Sequence, residues 1–582
     1  MKRHQLRTLL LATVVALTTL TIGCDKNMQM NITDTTGTLI TDYGKENIDQ
    51  KPMDVEKQSE KEQEHQDDSD KIEKDIVGDN LYSAFRIING ERKYGYIDES
   101  GSFVIEPIYT YVKEFNDDRA IVGDKNHVKV IDPAGNILYK SEFDIESFQN
   151  GAAVITQKVN DQYLKGYIDR EGNIIISPAY VWADGFQENG QAYVSPENGI
   201  FEIINKNGKV LEHYELDEEF QNIYDFDDGY ILYFDPNEGH AGVVDYKGNT
   251  IIKPEYSGIE YLGNGLFAVR QLSDDLFHPE YTKPAAIVNH LGQQLSDFIH
   301  YDLSTFDGNY ASATDSHYTY FINELGQRIE DLPILEGRGS LTFVGPDRIK
   351  AEIDRDLIYV DRNGVLLWKN DNTYHIAQNI DVKEVKLKPN RYVSVYYPVI
   401  EGIKDGEVQN KINDALYHIF TAHRINLVEE DYIFVEDGFT AELHGNLLII
   451  QRIGYDYPFG AAHGMPIRET YHIDINTGVF YELRDLFATN RNYANKINQI
   501  INMQIEEMME TGDSYLFPDS FEGIRRDQDF IIREKSLIIY FTPYEIAAYA
   551  AGFPEFEISY EEIMDIIDIN GAFWNSYRHE GE

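Results

Sequence analysis

The sequence predicts an all-β repeat array, propeller-like or alternatively an open β-solenoid, followed by an α+β domain. Three observations predict it. The stretch GYIDREGNIIISPAY, Gly166 to Tyr180, recurs as GYIDESGSFVIEPIY from Gly95 to Tyr109 and as GVVDYKGNTIIKPEY from Gly242 to Tyr256, and self-similarity of this kind marks a repeat architecture. Aromatic residues make up 13% of the chain, with 41 Tyr against 29 Phe, which suits half-buried sheet faces whose rings keep a polar edge. Near Asn370 the alternating pattern gives way to strands interleaved with segments of helical period.

The first 24 residues read as a targeting segment. Lys2, Arg3 and Arg7 precede an apolar run from Leu9 to Ile22 that closes as LTIGC. The run is shorter than the ~20 residues a membrane-spanning helix needs. A basic start, a short apolar core and Gly-Cys at its end resemble a bacterial lipoprotein signal, with Thr21 where that family usually has Leu. The resemblance implies that Cys24 becomes the lipidated first residue of the mature protein, held at the bacterial cell membrane and facing the extracellular or envelope side. Cys24 is the one cysteine, so an intramolecular disulfide and a CxxC metal or redox site are excluded.

Residues 25–80 hold almost no apolar clustering and include the mixed-charge run MDVEKQSEKEQEHQDDSDKIEKD. Such a segment cannot bury enough surface to fold, and as a coil of ~55 residues it spans roughly 40 Å. It reads as a disordered acidic tether. Over the whole chain 51 basic residues face 100 acidic ones, a formal charge of −49. That field disfavours nucleic acid as a partner and attracts a basic one, within about 10 Å in ordinary salt.

The repeat chemistry is local. An alternating strand ends in Asp98, Asp169 or Asp245, and three residues later comes Gly101, Gly172 or Gly248. Asp caps a tight turn, and Gly supplies the positive φ of the bulge that follows. After a second strand, Pro107, Pro178 and Pro254 are expected to stop the ladder, and Tyr109, Tyr180 and Tyr256 to pack on the neighbouring unit. Weaker copies place turn glycines at 135, 208, 292, 326 and 364, so spacings of 34 to 44 residues give eight units over residues 81–370. Pieces such as VKEFNDDRAIVG between the hairpins add a third or fourth strand, which is blade-like, whereas a solenoid must protect its open edges. These units resemble the WG-repeat family of bacterial surface proteins, whose Asp, turn Gly, Pro and Tyr they keep; Tyr94-Gly95 and Lys165-Gly166 retain the glycine without the tryptophan. The resemblance implies a binding or scaffold array, since no general catalytic activity attaches to the family.

From residue 371 to 582 the expected elements are a strand, RYVSVYYPVI, and a helix over residues 407–422 with Val408, Ile412, Ala415, Leu416, Ile419 and Phe420 on one face. A hairpin around His444-Gly445, a turn at Asn476 to Gly478, a second helix with Ile497, Ile500, Ile501, Ile505 and Met508, and a closing hairpin in DFIIREKSLIIYFTPYEI follow. Four motifs here, YYPVIEGIKDGEVQNKIN, FGAAHG, HIDINTGVFYELRDLF and FTPYEIAAYAAGFPEFEI, resemble in order the extracellular domain of lysozyme-sensing anti-sigma factors, also found ahead of the catalytic domain in some peptidoglycan deacetylases. Phe459-Gly460-Ala461-Ala462-His463 stands where that family more often has consecutive glycines before Ala-His. The resemblance implies an envelope ligand, a muramidase-like enzyme or peptidoglycan.

Motifs for catalysis are missing: the chain has no GxSxG elbow, HExxH helix or GxxxxGK[ST] loop, and no cofactor is implied. The Asp-x-x-Gly turns lack the 12-residue calcium frame, so no metal is expected there. The candidate ligand contacts are Tyr455, Asp456, Tyr457, Phe459 and His463 around GYDYPFG and GAAHG, with Tyr544 and Glu545 in PYEIAAYAAG. Tyrosine-rich exposed loops bind proteins or sugars well because rigid rings supply area at low entropic cost. Core filling at strand ends, backbone bonding by His463, and a helix start at Pro543 favoured by Glu545 are the alternative readings of the same residues. The expected function is a lipid-anchored, non-catalytic cell-surface binding or scaffold protein that captures a lysozyme-like protein or peptidoglycan. The alternative is a carboxylate-dependent enzyme acting on cell-wall glycan.

Overall fold

The computed structural model describes residues 80–88, 90–216, 220, 222–237, 239–272, 283–512 and 515–578. The expectations for the signal segment with Cys24, and for the tether up to residue 79, lie outside the described residues. No helix among the described residues is long and apolar enough to cross a membrane.

Ten sheets form among the described residues, eight of them before residue 370 and each of three or four strands. Eight turns in these repeats share one chemistry. At Asp169 the side-chain Oδ1 accepts from the amides of Glu171 (3.0 Å) and Asn173 (2.8 Å), while the Gly172 amide donates to the Asp169 carbonyl at 3.0 Å. Gly172 adopts φ +83°, a conformation only glycine takes at no steric cost. The same bonds recur at Asp98, Asp132, Asn205, Asp245, Asn289, Asn323 and Asp361.

One expectation about the repeats is corrected. The prolines do not stop the strand: Pro178 lies inside Ile174–Tyr180, and Pro107 and Pro254 lie inside Phe103–Tyr109 and Thr250–Tyr256. Each of these is the outermost strand of its sheet, and the register slips beside the proline, between Ile176 and Tyr180 in the case of Pro178. An edge strand with a bulge owes no ladder bond at that position, so a residue without an N–H is tolerated. The slipped strand comes so close that a Cβ on Gly166 would lie 2.6 Å from the Ile176 carbonyl oxygen and 2.7 Å from the Pro178 nitrogen.

Each sheet shares an apolar core with the next along the chain, as where Val154 and Tyr167 meet Ala192, Val194 and Phe186. Buried tyrosines two residues before the turn aspartate bind across these contacts. Tyr96 Oη donates to the Lys113 carbonyl at 2.6 Å and Tyr167 Oη to the Asp184 carbonyl at 2.8 Å. Tyr359, at the same position in the eighth sheet, donates to the Ser83 carbonyl of the first at 2.7 Å. There Leu357 and Tyr359 pack with Tyr82, Ala84, Phe85 and Ile97.

After residue 370 a seven-stranded mixed sheet runs in the order Tyr374–Ala377, Ile380–Asn390, Val393–Glu401, Ile433–His444, Leu447–Pro458, Met465–Asp474, Val479–Tyr481. Val393–Glu401 and Ile433–His444 are parallel, so a crossover must join them. That crossover is helix α1, Gly406–Thr421, started by Asp405, whose side chain accepts from the amides of Glu407 and Val408. It buries Ile412, Leu416 and Phe420 against Val395, Val435 and Ile450. Helix α2, Tyr493–Thr511, lays Ile497, Ile500 and Ile501 on a three-stranded sheet of Phe530–Ile532, Ser536–Tyr540 and Glu555–Ser559.

The repeats touch this domain. Asp354, at a turn of the eighth sheet, accepts from Lys386 (2.7 Å) and Lys388 (2.6 Å), Arg355 pairs with Glu436 at 2.9 Å, and Ile87 packs against the core under α1.

Candidate ligand-binding site

The strands Leu447–Pro458 and Met465–Asp474 form a hairpin whose last pair is Asp456 with Met465, and the loop between them carries GAAHG. Tyr455 braces this loop. Its Oη accepts from the Gly464 amide at 2.9 Å, and its ring fills the space a Cβ on Gly464 would need, with Cζ 2.5 Å from that position. His463 is thereby turned outward. Its Nδ1 lies 2.9 Å from the Gly464 carbonyl; since a carbonyl only accepts, Nδ1 carries the hydrogen and Nε2 is the acceptor. Nε2 takes a hydrogen bond from Tyr544 Oη at 2.9 Å.

The imidazole stacks on Tyr549, with centroids 4.0 Å apart and planes inclined by 29°, and lies nearly parallel to Tyr544. Tyr544 is 49% exposed and holds φ +68°, a left-handed conformation that costs a non-glycine residue about 1–3 kcal/mol. Burial, then the neighbouring Tyr455 and Tyr544, pushes the Tyr549 phenol up to about 12. The result is a small exposed platform of one imidazole and two phenols drawn from segments about eighty residues apart. It can stack on a sugar face or an apolar side chain and offer hydrogen bonds at its rim.

The other candidate residues stand differently. Tyr457 donates to the Ala461 carbonyl at 3.0 Å and so shapes the loop. Phe459 is only 6% exposed and packs edge-on against Tyr392 at 4.9 Å, which makes it a core ring rather than a contact surface. Asp456 receives Arg424 Nη2 at 2.8 Å; burial pushes its carboxyl up while Arg424 opposes the shift. Glu545 opens no helix. Its carboxylate accepts from the Thr542 amide (2.9 Å) and hydroxyl (3.0 Å) and pairs with Arg525, closing a turn, and the short helical turn begins later, at Tyr549–Ala551. Among the described residues no group of three or more His, Cys, Asp or Glu side chains is placed to hold a metal ion. The six turn residues, Asp98 with Gly101, Asp169 with Gly172 and Asp245 with Gly248, spend their polar groups inside their own turns.

Sequence reasoning missed what lies beneath the hairpin. Fully buried Asp437 receives Arg424 Nε at 3.1 Å and Arg452 Nη2 at 2.7 Å, and Arg452 reaches Glu469 at 3.2 Å. The one legible signal was Asp437 among the apolar alternate positions Ile433, Val435, Phe439, Ala441 and Leu443 of Ile433–His444.

Comparison with known proteins agrees with the two-part architecture. The WG-containing repeat matches residues 94–126, 166–195 and 242–272. The family described as a protein of unknown function, DUF3298, matches residues 484–561. The repeat matches thus fall in the repeat sheets and the DUF3298 match in the domain that follows them. Among solved structures, a DUF3298 family member from Bacteroides fragilis is 15% identical, covering 35% of this chain and 98% of its own, with a TM-score of 0.28. One from Pseudomonas aeruginosa is 14% identical, covering 33% and 94%, with a TM-score of 0.26. BamB from Moraxella catarrhalis is 15% identical, covering 45% and 82%, with a TM-score of 0.26. No curated protein matches the sequence.

Proposed function

We propose that this is a lipid-anchored, non-catalytic binding protein of the bacterial cell surface, in which the repeats close into a propeller-like ring and the C-terminal domain captures a basic lysozyme-like protein or peptidoglycan. The observation that carries the reading is the outward platform of His463, Tyr544 and Tyr549, held by the Tyr455 brace. Rigid aromatic groups placed in advance bind at low entropic cost. The charge of −49 speeds encounter with a basic partner. What supports the ring is the Tyr359 bond to Ser83, which repeats between the last and first sheets the bond that Tyr96 and Tyr167 make between consecutive ones.

Calorimetric titration of the protein with a basic lysozyme and, separately, with soluble muropeptides, each at low and high salt, tests this. The expected result is binding to one of them that drops at least tenfold in His463→Ala and in Tyr549→Ala; for lysozyme it weakens further with salt. Heat from neither ligand refutes the capture reading.

A further inference from the structure

Independently of that platform, a cleft of about 430 Å³ lies where the eighth repeat sheet meets the seven-stranded sheet. It is bounded by the Asp354–Asp356 turn, by the connecting segment Asn370–Thr373, and by Lys383–Lys386 on the strand beyond the short edge strand Tyr374–Ala377. Its volume is in the range that holds a small molecule.

One acceptor in its wall lacks a donor among the described residues, and a second is held only by long ion pairs. Asn370 is 3% exposed; its Nδ2 donates to Asn372 Oδ1 at 3.0 Å, but its own Oδ1 is buried with no partner among the described residues. The Glu384 side chain is 6% exposed and accepts no hydrogen bond among the described residues; its nearest cations are Arg355 at 3.7 Å and Arg92 at 3.9 Å. A buried carboxylate held only by ion pairs this long forgoes the short hydrogen bonds that make burial tolerable. Burial accordingly pushes the Glu384 carboxyl up, although Arg355 and Arg92 pull the other way. Two lysines also line the cleft: Lys369 pairs with Asp356 at 2.8 Å, and Lys383, 47% exposed, pairs with Glu401 at 2.6 Å. Pairs that exposed hold weakly and are available to a competing carboxylate.

We propose that this cleft binds a small zwitterion, a free amino acid or short peptide, whose ammonium group donates to Glu384 and Asn370 Oδ1 and whose carboxylate is met by Lys383 and Lys369. An ammonium supplies three donors, enough for Asn370 Oδ1 and for short bonds to Glu384, and the lysines account for the opposite end. A neutral sugar would use the acceptors and leave the lysines without a role.

The test is calorimetric titration of the full chain with the common amino acids and with alanyl-alanine, repeated with their N-acetyl and C-amide counterparts and with N-acetylglucosamine. The expected result is one zwitterion binding below millimolar, weakened at least tenfold by blocking either end. Lys383→Ala and Glu384→Gln should each weaken it similarly, and His463→Ala should leave it unchanged, which separates this site from the platform. Lys383 is half exposed, so its variant keeps the proposal testable if Glu384→Gln does not fold. Absence of binding by every zwitterion, equal binding of the blocked forms, N-acetylglucosamine binding in their place, or full affinity in Lys383→Ala overturns it.

Discussion

At the residue scale the sharpest consequence belongs to His472, fully buried on Met465–Asp474 with neither ring nitrogen hydrogen-bonded among the described residues, and stacked on Phe530 at 4.2 Å. Burial alone pushes its imidazole down to about 3, against about 6.5 in an unfolded chain. Between these values the unfolded state binds the extra proton, so stability is complete above about pH 6.5 and falls as pH drops toward 3. The slope predicts about 2 kcal/mol lost between pH 7 and 5 from this group. Urea denaturation of His472→Phe should show a shallower acid decline over that interval; an unchanged decline would place the titration elsewhere. A second residue-scale prediction concerns Gly464. In Gly464→Ala the new methyl collides with Tyr455, so lysozyme or muropeptide binding should fall as far as in His463→Ala while the melting temperature moves by only a few degrees. The turn residues were legible in the sequence because their hydrogen bonds close within four positions. The Arg424–Asp437–Arg452 group and His472 were not, because what makes them matter is burial against segments that sequence spacing does not bring together.

At the element scale, the outer strand of three repeats depends on the glycine opposite it, Gly95, Gly166 or Gly242. In Gly166→Ala the added Cβ meets the Ile176 carbonyl and Pro178, and crowding of this kind costs about 1–3 kcal/mol. The midpoint of urea unfolding should fall accordingly, whereas alanine at Gly258, where a Cβ meets nothing within 4 Å, should cost little. In helix α2, Ile497 is wholly buried, and Ile497→Ala should cost about 2–5 kcal/mol by the same measurement. Helix faces and hairpins were readable from period and turn chemistry: α1 lies within one residue of its expected limits. The prolines were misread because a sequence records that Pro lacks an N–H but not that its strand lies at an edge with no bond to lose.

At the scale of the whole molecule, the proposed ring makes a claim about ends. An open array frays from its terminal units, since each is held on one side only. In a closed one the strands Tyr82–Ile88 and Asp356–Asp361 have neighbours on both sides, and their amides should exchange with solvent as slowly as those of Gln162–Asp169. Fast exchange confined to the two terminal sheets would favour the solenoid. The sequence could not say whether the repeats and the C-terminal domain meet, because the contact joins Asp354 to Lys386 and Lys388 through side chains with no pattern of their own.

The shared turn separates charge from shape. Asp98, Asp132, Asp169, Asp245 and Asp361 perform the task that Asn205, Asn289 and Asn323 perform without a charge. These backbone bonds thus use the side-chain oxygen and not its charge. Exchanging the five aspartates for asparagine would take the formal charge from −49 to −44 with every turn intact, leaving a molecule of the same form but a different reach toward whatever approaches it.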